Sequence, residues 1–300
     1  MRSKIKYIKN LIDLLEENFD NFTPTQKRIA QYLLSNRDEA SFLTADEIAA
    51  QIDTVPSTVV RFAKDIGYDG YTSLQKDLRK LIMKKINNIG QLEKAKKYRP
   101  PEKETVISLS FAKNLANLHK LIKDTKEEDI KKFVDFFIAG RNKYITANRS
   151  AFSLGHFFFF QTRKIVPNVF LLNNLDDGIF DIIREIDKED ILVAISFPRY
   201  AKLTLNIAQY ASKKGAKVLS ITHNKISPLY KISEMCLYCP YEGSTFHNSN
   251  VAAMSLLEAI IAEIFSHKRD LSIQLLEREE EILLDFNVIE LSSKNILKRP

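Results

Sequence analysis

Residues 44–67 read TADEIAAQIDTVPSTVVRFAKDIG, and their caps and breaks predict two short helices in close succession. Thr44 followed three residues later by Glu47 forms a capping box, which predicts the start of the first helix. Pro56 suits the first turn of the second helix, and Gly67 suits the left-handed residue that follows its end. Two short helices joined by a brief turn form the helix-turn-helix layout.

The rest of the first hundred residues also reads as helical. Apolar residues recur at helical spacing over residues 4–18, which predicts an amphipathic helix. Thr23 and Gln26 form a second capping box, and another helix is predicted over residues 72–85. Residues 87–104 contain consecutive prolines, which a helix cannot accommodate, so this stretch is interpreted as a linker.

The second helix of the quoted stretch has two different faces. Val59, Phe62 and Ile66 share one face at helical spacing, which predicts that this face is buried. The other face carries hydroxyl and basic side chains: Ser57, Thr58, Arg61 and Lys64. In a helix-turn-helix this helix enters the major groove of DNA, where an arginine fork can donate two hydrogen bonds to guanine. These four residues are therefore candidate DNA-binding residues, with Arg61 as base reader; a plain solvated face is the alternative.

The charge distribution agrees with a DNA-binding N-terminal domain. The net charge is +7, and residues 1–100 hold 18 Lys and Arg against 13 Asp and Glu, a surplus of 5 that leaves 2 for the remainder. An excess of this sign is expected of a domain that meets a phosphate backbone. No segment approaches the roughly 18 consecutive apolar residues of a membrane span, and no secretory signal is recognised, so a cytoplasmic protein is expected.

Two cysteines, Cys236 and Cys239, have the C-x-x-C spacing of many metal and redox sites. They fall on or next to a predicted strand, residues 235–238, and side chains three apart on a strand point to opposite faces. Shared chelation is then geometrically poor, so we expect packing cysteines and no metal site. The sequence also has no Gly-rich P-loop, no H-E-x-x-H and no nucleophile elbow, so no catalytic residue and no cofactor is assigned.

Beyond the linker the sequence alternates between helices and strands. Short β-branched runs without alternation predict strands buried on both faces: 143–147, 169–172, 191–195 and 218–221. Longer segments with helical spacing surround them: 105–123, 127–138, 248–266 and 271–284. The fold class is therefore α followed by α/β, with a parallel sheet between layers of helices.

The N-terminal part closely resembles a known family. Residues 22–80 contain Ser57-Thr58-Val59-Val60-Arg61-Phe62 and Gly67-Tyr68-Asp69-Gly70-Tyr71, and they are similar to the N-terminal domain of RpiR/MurR-type regulators. The resemblance implies DNA binding as a dimer at a palindromic operator. The family usually has Val-Ser before the reading helix where this chain has Thr54-Val55. Valine is a poor N-cap, so an altered cap is expected there.

Residues from about 110 to 285 resemble the SIS (sugar isomerase) domain of the same family, which implies a flavodoxin-type sheet. In that domain a serine after the first strand and a Ser-x-Ser-Gly-x-Thr loop after a later strand hold the phosphate of a phosphosugar. Ser150 and Ser196 match these positions, but Pro198 and Arg199 replace the second serine and the glycine. Arginine offers a charged clamp in place of a backbone cradle. Arg199, with Arg149, is therefore expected to bind a carboxylate or phosphate; structural salt bridges are the alternative.

The candidate effector site lies where ligands bind in an open parallel sheet, beyond the carboxyl ends of the strands. Its residues follow the predicted strands and come from three loops: Ser150, Ser196, Arg199, Thr222 and Asn224. The expected effector is a small anionic metabolite, either a sugar phosphate or another acid.

The sequence thus predicts a DNA-binding transcriptional regulator that binds a double-stranded operator as a homodimer or homotetramer, its affinity set by the effector. Four regions are expected: a helix-turn-helix domain over 1–86, the linker 87–104, an effector-binding and oligomerisation domain over 105–286, and a tail over 287–300. One alternative is a phosphosugar isomerase with an acid–base pair such as Glu258 and His247. Another is a second domain that only dimerises, its crevice filled by Phe197, Arg199 and Tyr200.

Overall fold

The computed structural model describes residues 11–41, 43–86, 105–172, 178–225 and 227–288, with only the backbone given at residues 13, 38, 39 and 82–86. The chain divides into two compact units, and the second begins after Pro101. The predicted linker 87–104, residues 4–10 of the first predicted helix and residues 289–300 of the predicted tail lie outside the described residues.

The first unit is helical, as predicted. Its α-helices are α1 (Leu11–Glu17), α2 (Pro24–Ser35), α3 (Arg37–Ala40), α4 (Ala45–Gln51), α5 (Pro56–Asp65) and α6 (Tyr71–Ile86), with a 3-10 turn at Phe19–Asn21. Both predicted capping boxes form: the Gln26 amide donates to Thr23 Oγ1 at 3.4 Å, and the Thr44 amide donates to Glu47 Oε2 at 2.7 Å. Gly67 has the expected left-handed backbone, with a φ of 98°.

The second unit is the predicted α/β sandwich. Its described residues form five strands: β1 (Lys143–Ala147), β2 (Val169–Leu172), β3 (Ile191–Ile195), β4 (Lys217–Thr222) and β5 (Met235–Tyr238). The helices are α7 (Val106–Asp124), α8 (Glu127–Ala139), α9 (Phe152–Ile165), α10 (Ile179–Arg184), α11 (Lys202–Lys213), α12 (Val251–His267) and α13 (Arg269–Asp285), with a 3-10 turn at Arg149–Ala151. All four strand pairings are parallel, in the order β2-β1-β3-β4-β5.

The strand order puts a switch point between β1 and β3. The chain moves outward from β1 to β2 and then crosses back to β3, so the connections after β1 and β3 leave the sheet in opposite directions. Ligands in this sheet type bind in the crevice at such a point, beyond the carboxyl ends of the strands. Both strands are fully buried, which fixes the two loops that follow them on a rigid base.

Helix α9 lies unusually close to β1. A Cβ atom at Gly155 would come within 2.5 Å of the Ala147 Cβ, so only glycine permits this approach. Phe158, one turn further along α9, is fully buried in the core on this face of the sheet.

One predicted boundary was wrong. Helix α12 begins at Val251, three residues later than the predicted position 248, because polar side chains hold the preceding residues in a loop. Ser249 Oγ accepts from the Val251 amide at 3.3 Å, and the side chains of Asn248 and Asn250 donate to neighbouring loops. Asparagine and serine favour such local bonds over a helix interior.

Candidate functional site

Helix α5 presents the predicted face to solvent. Ser57, Arg61 and Lys64 are exposed and follow one another at intervals of four and three residues, so they lie in one row along the helix. Thr58 is half-buried beside this row. On the opposite face Phe62 is buried, and its ring meets the Phe22 ring edge to face with 5.4 Å between centroids. The structure therefore leaves a narrow polar and basic row that a DNA groove could receive.

The start of α5 has no side-chain cap, as the Thr54-Val55 departure led us to expect. Val55 occupies the N-cap position with extended backbone, and the cap is made only by the backbone, where the Thr58 amide donates to the Val55 carbonyl at 2.9 Å. Asp53 takes left-handed backbone with a φ of 51°, and the Thr54 amide bonds the Ala49 carbonyl. These bonds form the tight turn between α4 and α5.

Bonds from other helices hold this helix pair in place. The Gln26 amide group, on α2, donates to Asp65 Oδ2 at 2.9 Å at the end of α5. The Tyr71 hydroxyl donates to the Leu43 carbonyl at 2.8 Å, and the Gln75 side chain donates to the same carbonyl at 2.7 Å. These side chains come from α2 and α6, so the segment before α4 and the end of α5 are fixed by separate helices.

The candidate effector residues of the second unit lie at the carboxyl ends of β1, β3 and β4, but Thr222 is the last residue of β4 and not part of a loop, and the residues differ in exposure. Ser196 and Thr222 are buried, and Thr222 Oγ1 donates to the Ser196 carbonyl at 2.7 Å, a bond that ties the ends of β3 and β4 together. Ser150 and Arg199 are exposed, and Asn224 is half-buried. Ser150 and Arg199 are thus the most accessible members of the set.

Two arginines at the switch point have left-handed backbone. Arg149, after β1, has a φ of 57°, and Arg199, after β3, has a φ of 76°. This conformation is uncommon for residues other than glycine and is found disproportionately at functional sites. The loops thus keep a backbone that suits glycine while carrying exposed guanidinium groups, a feature that composition alone did not reveal.

Asparagine side chains connect these loops to their surroundings. Asn148 is buried, and its Nδ2 donates to Thr204 Oγ1 at 3.0 Å in the first turn of α11. Asn248 donates to the Pro198 carbonyl at 3.2 Å, and Asn250 donates to the Ser150 carbonyl at 3.4 Å. None of the three was singled out from the sequence, because their partners lie 50 to 100 residues away.

Aromatic rings fill part of the space beside the β3 loop. Phe197 is buried, Tyr200 is half-buried, and the Tyr200 hydroxyl lies 3.3 Å from His223 Nδ1. The His223 ring meets the Tyr241 ring edge to face at 5.1 Å. Burial lowers the pKa of His223 to about 4, so its imidazole is neutral at physiological pH. Unlike the rings of this cluster, the Arg199 side chain is exposed to solvent.

The structure also describes the residues of two alternative sites, the cysteine pair and the acid–base pair of Glu258 and His247. Burial raises the pKa of both Cys236 and Cys239, which disfavours the thiolates that bind metal. Among the residues described, no group of three or more His, Cys, Asp or Glu could hold a metal ion. Glu258 is exposed on α12, and the His247 Nδ1 lies 3.1 Å from Thr245 Oγ1.

No helix in the described ranges has the length and hydropathy needed to cross a membrane.

Two family profiles match this chain. The helix-turn-helix domain of the rpiR family matches residues 9–85, and the SIS domain matches residues 137–263. The first match lies in the first unit, and the second match spans the five-stranded sheet of the second unit.

The relatives with the same organisation are named as regulators. An uncharacterized HTH-type transcriptional regulator of Caldanaerobacter subterraneus is 22% identical over 289 residues, 91% of this chain and 97% of the relative. The HTH-type transcriptional regulator HexR of Pseudomonas aeruginosa is 23% identical over 243 residues, 79% of this chain and 81% of HexR.

Solved structures share the fold. Vibrio vulnificus NanR, in complex with ManNAc-6P, matches with a TM-score of 0.60 and 18% identity over 94% of this chain and all of NanR. The sugar isomerase domain of an RpiR transcription factor from Sphaerobacter thermophilus matches with a TM-score of 0.57 and 16% identity, over 59% of this chain and 99% of that domain. The two matching profiles and the named relatives together show that the chain is a transcriptional regulator of the RpiR family, with an rpiR-type helix-turn-helix domain followed by a SIS domain.

Proposed function

We propose that this regulator binds a palindromic operator through α5 of two copies, and that a small anionic metabolite at the β1/β3 switch point changes its operator affinity. The observation that carries the effector part is the pair of exposed arginines with left-handed backbone, Arg149 and Arg199, at the carboxyl ends of neighbouring strands. Arg149 lies three residues before α9, and Arg199 lies three residues before α11. An anion bound there would be attracted by the guanidinium groups and by the positive ends of the helix dipoles.

The DNA part rests on the row of exposed side chains along α5. Arg61, in the middle of the row, can reach a base edge when the helix lies in the major groove. Ser57, at the beginning of the helix, can donate to a phosphate or a base. Lys64, near its end, can pair with the phosphate backbone. One such helix reads only a few base pairs, so specific binding needs a second copy on a matching half-site.

The effector part draws on charge and on the helix start. Helix α11 begins after Ala201 without a side-chain cap, so its first amides can donate to an anion. A sugar phosphate is one candidate, because NanR, which shares the fold, was solved with ManNAc-6P. Pro198 and Arg199 stand in this loop in place of a serine and a glycine, and they favour an acid whose carboxylate or phosphate pairs with the Arg199 guanidinium.

Selection of bound DNA from a random pool tests the first part, with wild type and Arg61→Ala run in parallel at a stated salt concentration. We expect wild type to recover a palindrome and the variant to show relaxed preference. Operator release is then measured with ManNAc-6P, glucose 6-phosphate and inorganic phosphate, for wild type and for Arg199→Ala. An Arg199→Ala protein that folds, binds DNA and responds as wild type does would remove Arg199 from the effector site.

The aromatic cluster favours a second candidate for the SIS domain. Phe197, Tyr200, His223 and Tyr241 occupy space beside the β3 loop, which is what a domain used only for dimerisation would show. If the domain only dimerises, no anion raises the melting temperature and none releases DNA, but the wild type still selects an operator.

A further inference from the structure

Val55 places an apolar side chain where the candidate reading helix begins. It is the N-cap residue of α5, and it is 58% exposed. In a helix-turn-helix, the first residues of the second helix are the ones that contact base edges. Val55 therefore lies at the DNA-reading end of α5, next to the row that contains Ser57 and Arg61, with more than half of its surface in solvent.

Valine at this position does little for the stability of the fold. Serine, threonine, aspartate and asparagine are the residues that cap a helix start, because their side chains accept a hydrogen bond from a backbone amide, which valine cannot do. Val55 also gains little from burial, since most of it stays exposed. The turn before α5 is held by backbone bonds, among them the one from the Thr54 amide to the Ala49 carbonyl at 2.9 Å. A contact outside the protein would account for the choice of valine.

The start of α5 is poorly suited to a DNA phosphate. Pro56, the first helical residue, has no N–H group to donate. The Thr58 amide already donates to the Val55 carbonyl at 2.9 Å. Asp53, in the preceding turn, is an exposed carboxylate and repels a phosphate. An apolar group in the groove fits this surface better than the DNA backbone does.

We propose that Val55 contacts the C5-methyl group of a thymine in the major groove of the operator, which makes it a specificity-determining residue alongside Arg61. The proposal rests on the proposed function, in which α5 reads the operator. The thymine methyl is the apolar group that an A·T pair presents in the major groove, and small apolar side chains recognise it by direct contact. A G·C pair has no such methyl group, so the contact favours A·T at that position.

The geometry of the helix limits where this thymine can lie. Val55 and Arg61 are six positions apart in the sequence, which corresponds to about 9 Å along α5 at a rise of about 1.5 Å per residue. Successive bases of one DNA strand are about 3.4 Å apart along the axis. The thymine is therefore expected within about three base pairs of the base that Arg61 contacts, in each half-site.

Replacing thymine by deoxyuridine removes only the methyl group and therefore tests the contact directly. Each thymine of the selected operator is replaced in turn in both half-sites, and affinity is measured by fluorescence anisotropy at a fixed salt concentration. We expect wild type to lose about fourfold in affinity per half-site at one position, or about 15-fold for the pair, because one buried methyl group is lost. Val55→Ser should bind the thymine and deoxyuridine operators equally. Val106→Ser is the matched control, because Val106 is an exposed valine at the start of α7, and it should keep the wild-type discrimination.

The melting temperature separates a DNA contact from a structural role. Val55→Ser supplies an N-cap, so the variant should melt at a higher temperature than wild type while it loses affinity for the thymine operator. Wild-type affinity that no deoxyuridine replacement changes, or a Val55→Ser protein with the wild-type discrimination, overturns the proposal. A selected operator without a thymine at the expected distance does so as well. In these outcomes the proposed function stands; if wild type selects no sequence at all, the proposed function fails and the Val55 contact fails with it.

Discussion

Arg61 and Lys64 lie on one exposed row of α5 but should affect DNA binding in different ways. Arg61 is in the middle of the helix, where its guanidinium can donate to a base edge, and a good bidentate base contact contributes about 1 to 3 kcal/mol of discrimination. Two copies bound to a palindrome double this, to about 2 to 6 kcal/mol, so Arg61→Ala should lose at least about 30-fold in operator affinity.

Lys64→Ala serves as the matched comparison. A lysine that meets only phosphate weakens binding to all sequences and lowers the salt dependence, by about 0.9 in slope per copy or about 1.8 for a pair. Fluorescence anisotropy with the selected operator and with a scrambled duplex, at several salt concentrations, measures both quantities. If Arg61→Ala weakened binding to both duplexes by the same factor, Arg61 would not read bases and the assignment of α5 would be refuted.

Three further predictions concern stability. Asp190→Ala should lower the free energy of unfolding by about 1 to 3 kcal/mol, because the backbone amides of Asn142 and Asp187, which donate to the buried Asp190 carboxylate at 3.2 and 3.0 Å, lose their acceptor. Exposed Asp181→Ala is the control, and urea titration measures both. Because burial lowers the pKa of His223 to about 4, the unfolded chain binds a proton first as the pH falls below about 6.5. Stability should therefore be lost between pH 6.5 and 4, by at most about 3 kcal/mol, and His223→Phe should flatten that part of the pH profile; an unchanged profile would contradict the burial argument. Val55→Ser should raise the melting temperature by supplying an N-cap of about 1 kcal/mol to α5, whereas a lower melting temperature would show that the exposed valine packs in a way that the cap argument ignores.

Much of the fold follows from local pattern. The capping boxes at Thr23 and Thr44 can be read from four residues each, and both form as expected. The strands were recognised because parallel strands covered on both faces are continuously apolar, and β1 and β3 have the predicted bounds and are buried throughout. For β2 the bounds are as predicted but the expected burial was wrong, because β2 lies at the edge of the sheet and only its Leu172 is buried.

The details of the candidate effector site could not be predicted in the same way. The left-handed backbone of Arg149 and Arg199 contradicts residue preference, because a loop without glycine ordinarily implies right-handed or extended conformations. The bond between Thr222 and Ser196 joins residues 26 positions apart, so it depends on which strands become neighbours in the sheet.

Asn248 and Asn250 connect the start of α12 to both loops at the switch point. Their side chains bond the Pro198 carbonyl at 3.2 Å and the Ser150 carbonyl at 3.4 Å, and they immediately precede α12, which packs against α7. Such bonds are near the limit of useful length, so a displacement of either loop by about 0.5 Å is enough to break one. A ligand that displaces either loop would therefore shift or break one of these two bonds, and with it the contact between that loop and the residues that precede α12. If an effector binds at the switch point as proposed, its position is transmitted through these bonds to the 17-residue helix α12, which packs against α7, α8 and α9.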